Sequence, residues 1–455
     1  MLKSLPWAAC GLFLSAVALG AAEAPLRVPQ PYGGLHTVAV HPDQPLGPMR
    51  LKLGVSLVMD SAGDTGQPQA RRRAVALLAN LHGYADIWIM SMHAPNPEPA
   101  SGRFDFSYLD KRMALVRETG STPVITLCCA PDWMKGAAPG TTDWTRQAEP
   151  PRPEHYADFA ELARRIALRY PQVKHYLVWS EIRGFWNPAQ HRWDGEGYTA
   201  FYNKVYDALK SVSPEIKVGG PYVPIGKLLA AQAEASPIRG PYGAVMGGTL
   251  DVVDYWLRNK HGADFIAVDG TVRDRDGIPG DLFASEAFYA DASRWIRSRS
   301  NLPLWWAEWY AAPETPGTYT GTLPHDEQAA LLAQSLIALA PNADVALRWT
   351  PEGDASKAYE GDQESLWSDT RESDGGKPFP AYDVLDNFER CFPLGAMLRG
   401  EREESAYVGV LAAPGCIMLV NKTASDLGVA LQGQRIVLHR YETVFLDDRG
   451  GRRRR

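Results

Sequence analysis

The stretch HYLVWSEIRGFWNP, residues 175–188, decides how this chain folds. Its first half is a short apolar run of strand length that ends on a carboxylate, Glu181, and its second half opens into Gly, Asn and Pro. An apolar run without polar alternation implies burial on both faces, as in a parallel sheet covered by helices. Working outward, LKLGVSLV from Leu51, DIWIMS from Asp86 and TPVITLCC from Thr122 precede it. IKVGGP from Ile216, DFIAVD from Asp264, PLWWAE from Pro303 and DVALRW from Asp344 follow it. Helical patterns separate the runs; in the clearest, Tyr156, Phe159, Ala160, Ala163, Ile166, Ala167 and Tyr170 share one face. Eight such strands alternating with helices predict an α/β chain folded as a (β/α)8 TIM barrel, not an open sheet.

The flanks read differently. Residues 1–24 show one Lys, an apolar run and small residues around Ala21 to Ala24, the order of a secretory signal, so a secreted or periplasmic protein is expected. An uncleaved membrane anchor is the alternative, and no stable membrane insertion is expected after cleavage. Residues 25–48 are expected to join a small β-sandwich with 393–447, where strands such as YVGVLAA, CIMLVNK and ETVFLDD alternate with turns. The barrel is assigned 49–392, with a helix around Tyr382 to Arg390, and 448–455 a basic, disordered tail.

Composition narrows the function. The 455 residues carry 47 Lys+Arg against 53 Asp+Glu, a formal charge of -6, too mild for nucleic acid or a membrane surface as the main partner. The 14 Trp and 19 Tyr suit the flat faces of sugar rings, although core packing claims many of them. Beyond the signal lie Cys128, Cys129, Cys391 and Cys416. No C-x-x-C spacing exists, Cys391 and Cys416 are candidates to pair, and the vicinal Cys128 and Cys129 read as small buried strand residues. No P-loop, dinucleotide fingerprint, G-x-S-x-G or His-rich spacing occurs, so neither metal nor organic cofactor is expected; the oligomeric state is left open.

Chemistry in such barrels sits at the C-terminal ends of the strands. Glu181 ends the fourth run, and Glu308 ends the seventh, in NLPLWWAEWYAAP (301–313). Two carboxyls facing each other across a barrel mouth suit glycoside hydrolysis, in which one protonates the leaving oxygen while the other, ionised, meets the oxocarbenium-like carbon. The bland reading of either Glu is a buried ion pair with Arg183 or Arg348, and for Arg183 such a pair is favoured over an acidic sugar. Other pocket candidates are His93, Trp133, Trp179, Ser180, Trp186, Asp269, Trp309, Tyr310 and Trp349.

WSEIRGFWNP resembles the W-N-E-P-N-x-x-x-F-W segment of glycoside hydrolase family 39, and PLWWAEWY resembles that family's P-x-x-x-T-E-W segment. GRFDFSYLDKRMALVRETGSTPVITLCCAPDWM (102–134) and GKPFPAYDVLDNF (376–388) are similar to the family's passage through strand three and its exit from strand eight. The resemblance implies a retaining glycosidase, related to β-xylosidases, α-L-iduronidases and exopolysaccharide hydrolases, with Glu181 as acid/base and Glu308 as nucleophile. It implies a glycan of plant or microbial origin as substrate. Two departures imply an altered subsite: Ser180 stands where the clan usually has Asn, and Asp269 ends strand six where a His or Tyr surrounding is common. A transglycosidase, or a non-catalytic glycan-binding or exopolysaccharide-assembly protein on the same scaffold, stands beside this reading.

Overall fold

The computed structural model describes residues 36–58, 62, 66–90, 95–228, 234–271, 280–311, 323–353, 365–402 and 405–453. The expected signal segment and His93 lie outside these residues. Eight parallel strands close into a barrel: β1 Lys52–Ser56, β2 Tyr84–Trp88, β3 Thr122–Leu127, β4 His175–Val178, β5 Lys217–Pro224, β6 Phe265–Thr271, β7 Leu304–Tyr310 and β8 Val345–Arg348. Each is followed by a helix: α1 Pro68–Asn80, α2 Ser107–Thr119, α3 Tyr156–Arg169, α4 Gly195–Val212, α5 Gly247–Asn259, α6 Ala287–Arg299, α7 His325–Leu339 and α8 Pro380–Cys391. This is the (β/α)8 architecture the alternation predicts. Helix α3 buries Phe159, Ala160, Leu162, Ala163, Ile166 and Ala167, the face read from its period.

Alternation along the strands divides two cores. Val124, Leu177, Tyr222, Phe265, Ala267, Trp305, Ala307, Val345 and Leu347 fill the barrel interior. The opposite faces join the larger core beneath the helices. At the closed end Phe265 stacks on Trp305 with ring centroids 4.1 Å apart. Higher up, the interior turns polar, with Ser56, Asp86 and Thr126 all fully buried.

Two irregularities in strand pairing shape the open end. Between β5 and β6, Pro221 faces Ala267 and Val223 faces Val268, so Tyr222 is an extra residue. Between β6 and β7, Val268 faces Trp306 and Asp269 faces Glu308, so Ala307 is extra. A bulge breaks the two-residue alternation and re-aims the side chains beyond it. Trp305 and Ala307 point inward, and after the bulge Glu308 points inward as well, leaving Trp309 to face the helices.

A β domain sits beside the barrel. Gln44–Pro48 pairs with Met397–Gly400 in a five-stranded sheet continued by Val408–Ala413, Cys416–Asn421 and Thr443–Leu446. Thr37–Val40 pairs with Leu427–Leu431, which pairs with Gln434–Leu438, in a second sheet. Val40, Val408, Leu419, Val429, Leu438 and Leu446 belong to the core between them. The basic C-terminus was expected to be a disordered tail, but its described part is fastened: Arg452 ion-pairs Glu442, and Arg453 donates to the Gly415 carbonyl. Cys391 of α8 and Cys416 form a disulfide, with Cα atoms 5.7 Å apart. Cys128 and Cys129 are buried, as expected, but are joined to each other in a vicinal disulfide instead of standing as separate thiols. Among the described residues no helix is long and apolar enough to cross a membrane.

Candidate active site

The turn after β4 carries Glu181. Trp179, Glu181 and Ile182 adopt left-handed φ of 68°, 49° and 49°, a conformation that costs on the order of 1–3 kcal/mol for each non-glycine residue. The surroundings hold it. Trp179 Nε1 donates to the Arg183 carbonyl at 2.9 Å, the Arg183 amide donates to Ser180 at 3.1 Å, and Tyr198 donates to the Val178 carbonyl at 2.8 Å. Gly184 closes the turn at φ 75°, where a Cβ would strike Pro150 and the Ala148 carbonyl. Arg183, two residues on, ion-pairs Glu181 and lies over the Trp88 ring, 5.7 Å from its centroid.

Glu308 arrives from the other side on β7 and is fully buried. Tyr222 donates to its Oε1 and Tyr310 to its Oε2, each at 2.6 Å. Both tyrosines owe their aim to the local strand path: Tyr222 is the bulged residue of β5, and Tyr310 shares the face of Glu308 two residues on. Two donors on two oxygens satisfy an ionised carboxylate, whereas a protonated one would itself be a donor at one oxygen. Burial, and then the charge of Glu181, push the Glu308 carboxyl above the usual range; Arg183 and the two tyrosines pull it back.

Asp269, at the end of β6, completes the group and is 2% exposed. Burial, followed by the charges of Glu181 and Glu308, holds its carboxyl far above the usual range. One oxygen from each of Glu181, Asp269 and Glu308 lies within 4.8 Å of the others, and they are the one such acidic set among the described residues. The charge of Arg183, ion-paired to Glu181, already compensates part of this acidic set. Below them, Asp86 accepts from Thr126 at 2.8 Å and from Trp88 at 3.1 Å, and burial raises it to about 7. Burial, and then the charge of Glu308, keep Tyr222 protonated, and hence a donor.

The family model described as Glycosyl hydrolases family 39 matches residues 82–234, a stretch that includes Glu181 and Tyr222 and stops short of Asp269 and Glu308. Over these residues the chain is similar to that family. Among solved structures, the chain is similar to a GH39 beta-xylosidase from Caulobacter crescentus, with TM-score 0.56 at 16% identity over 87% of this chain and 83% of that one. It is similar to a glucosidase from Croceicoccus marinus (TM-score 0.55, 14% identity, 89% and 83% covered). It is similar also to a conserved exported protein from Bacteroides fragilis (0.61, 12%, 90% and 99%). At these identities the likeness establishes the fold. No curated protein matches the sequence.

The residues expected around the carboxylates divide. Tyr310 is in the site, and Trp349 packs near it, its ring 5.7 Å from Trp88 and 6.4 Å from Tyr310. Ser180 is buried with its Oγ making no hydrogen bond. Trp133 is half-buried, its Nε1 donating to the Glu98 carbonyl at 2.8 Å. Trp186 leans on Trp193 in a small hairpin beyond the acid turn. Two expectations are corrected. Trp179 is fully buried among Phe159, Phe185 and Phe201, and serves as the floor of the turn, not as a sugar platform. Trp309 is fully buried on the helix side of β7, where its Nε1 donates to Ser335 of α7 at 3.2 Å. Arg348 also faces outward, its guanidinium over the Trp309 ring, so Arg183 and not Arg348 is the partner of the acid pair. Tyr222 and Asp86 were missed. A Gly-Gly-Pro sequence reads as a strand end, so β5 was expected to stop before Tyr222.

Proposed function

We propose that this chain is a retaining hydrolase that cleaves O-glycosidic bonds of a plant or microbial glycan by double displacement, Glu181 acting as acid/base and Glu308 as nucleophile. The observation that carries this reading is the approach of the two carboxylates to within 4.8 Å. Retaining enzymes place the pair about 5–5.5 Å apart, and inverting ones about 6.5–9.5 Å apart to admit water. In the first step Glu308 attacks the anomeric carbon, the bond to the leaving oxygen breaks, and that oxygen takes a proton from Glu181. In the second, water attacks the same carbon, gives its proton to Glu181 and releases Glu308. The tyrosine hydroxyls on Glu308 orient the attacking oxygen and are available to the sugar's ring oxygen side as charge leaves the carboxylate.

Ser180 in place of an amide, and Asp269 beside the pair, support a sugar whose hydroxyl pattern differs from that of xylosides and iduronides. Export to the periplasm or medium is part of the proposal and rests on residues 1–24. The test is a panel of aryl glycosides and polysaccharides, with Glu308→Gln as control. Turnover with retained anomeric configuration, lost in the variant, supports the reading. Inverted product refutes the double displacement, and binding with no turnover on any member favours the glycan-binding alternative.

A further inference from the structure

We propose that Asp269 is a positioning residue for the acid: its carboxyl holds, against Glu181, the proton that the leaving oxygen takes. The inference rests on the retaining reading above and deepens it.

The argument begins with proximity. Asp269 and Glu308 are register partners on adjacent strands, so both side chains enter the barrel mouth at one level, and Glu181 hangs over them from the turn after β4. An oxygen of Asp269 and one of Glu181 lie within 4.8 Å of each other. Two carboxyl groups this near at a largely buried site are disfavoured as two anions, so one of them keeps a proton. The charge balance says the same. Three acids face one guanidinium, that of Arg183, which the charges of Glu181 and Glu308 keep protonated against burial. With Glu308 hydrogen-bonded as a carboxylate by Tyr222 and Tyr310, and Glu181 ion-paired to Arg183, the neutral member is Asp269.

Every charged or titratable group found near Asp269 is consistent with this. Glu181 and Arg183 approach from the β4 turn, Tyr222 from β5, Glu308 and Tyr310 from β7, and Tyr289 from α6, its hydroxyl turned to the Gly270 and Tyr310 carbonyls. Arg183 is the one cation among them. Glu181, ion-paired to Arg183, needs a source for the proton it delivers. A protonated Asp269 beside it is that source. In the glycosylation step the one proton passes from Asp269 through Glu181 to the departing oxygen, which leaves both carboxyls ionised. In deglycosylation the proton removed from water refills the pair, so no proton is gained or lost over the cycle. Asp269 Oδ1 makes no hydrogen bond, which leaves it room to turn as the proton moves.

The test is kcat/KM for wild type and Asp269→Asn across aryl glycosides of one sugar, from 2,4-dinitrophenyl to unsubstituted phenyl. The dinitrophenyl group departs without a proton, and the phenyl group needs one. Removing acid assistance is expected to cost the phenyl substrate about 10²-fold more than the dinitrophenyl substrate. The alkaline limb of the wild-type pH profile, set by loss of the shared proton, should move to lower pH. Asp269→Glu, which keeps a carboxyl, should restore much of the leaving-group behaviour; Asp269→Ser repeats the test if the Asn variant melts early. Equal losses on both substrates, carried by KM with the pH limb unmoved, would make Asp269 a sugar contact only and overturn the inference. Wild type inert on the whole panel, or Glu308→Gln as active as wild type, would instead sink the parent reading, and this inference with it.

Discussion

The two carboxylate ends of the site are built in opposite ways. Glu308 belongs to a strand, is fully buried, and has both oxygens fixed by tyrosine hydroxyls. Glu181 hangs from a left-handed turn, keeps 24% of its side chain exposed, and is held by one arginine. The difference fits the role proposed for each group. A nucleophile forms a bond at a fixed point and gains from being desolvated and immobile. An acid/base must reach the leaving oxygen and then water, so access and proton exchange matter more than rigidity.

The comparison can be broken most severely at the buried end. Glu308→Gln is expected to lower kcat by at least about 10⁴-fold in steady-state assays. The same variant should be more stable. A carboxyl raised above its unfolded value loses the fold stability as pH climbs past that unfolded value, so at neutral pH an amide relieves the cost, and the melting temperature should rise by about 2 °C or more. Glu181→Gln should cost about 10²–10⁴-fold on phenyl glycosides and far less on dinitrophenyl ones. Because the Glu181 charge pushes Glu308 up, that variant should also move the acid limb of the pH profile to lower pH.

Smaller changes sharpen the contrast. Tyr222→Phe and Tyr310→Phe each remove a donor from Glu308, and each should lower kcat about tenfold, the equivalent of a lost hydrogen bond to a charged group. Their acid limbs should move to higher pH, opposite in sign to Glu181→Gln. On the flexible side, Gly184→Ala should lower stability by about 1–3 kcal/mol in denaturant titrations. Gly140→Ala is the matched control. It has the same sign of φ, at 85°, but nothing within 4 Å of its Cβ position, so it should cost less.

Much of this was legible in the sequence. Periodicity located all eight strands, because residues buried on both faces leave an unmistakable apolar run, and the strand-end rule then singled out Glu181 and Glu308, while Asp269 entered as a departure from the family's pattern at the end of strand six. What failed has one physical cause. Bulges change the two-residue alternation without changing composition, so a linear reading cannot see that Ala307 re-aims Glu308 inward and sends Trp309 to the helices, or that the bulge at Tyr222 carries its hydroxyl to Glu308. Trp179 misled for a related reason. Strand β4 ends before it, and the left-handed turn folds its ring beneath the acid instead of beside the sugar.

The most direct test of the central claim is to trap the covalent intermediate. The protein would be incubated with a 2-deoxy-2-fluoro dinitrophenyl glycoside of the sugar it turns over, and the adduct located by peptide mass spectrometry. The account predicts one glycosyl group, on Glu308. An adduct on Glu181 or Asp269, or turnover of the parent substrate with inversion and no adduct, would contradict it.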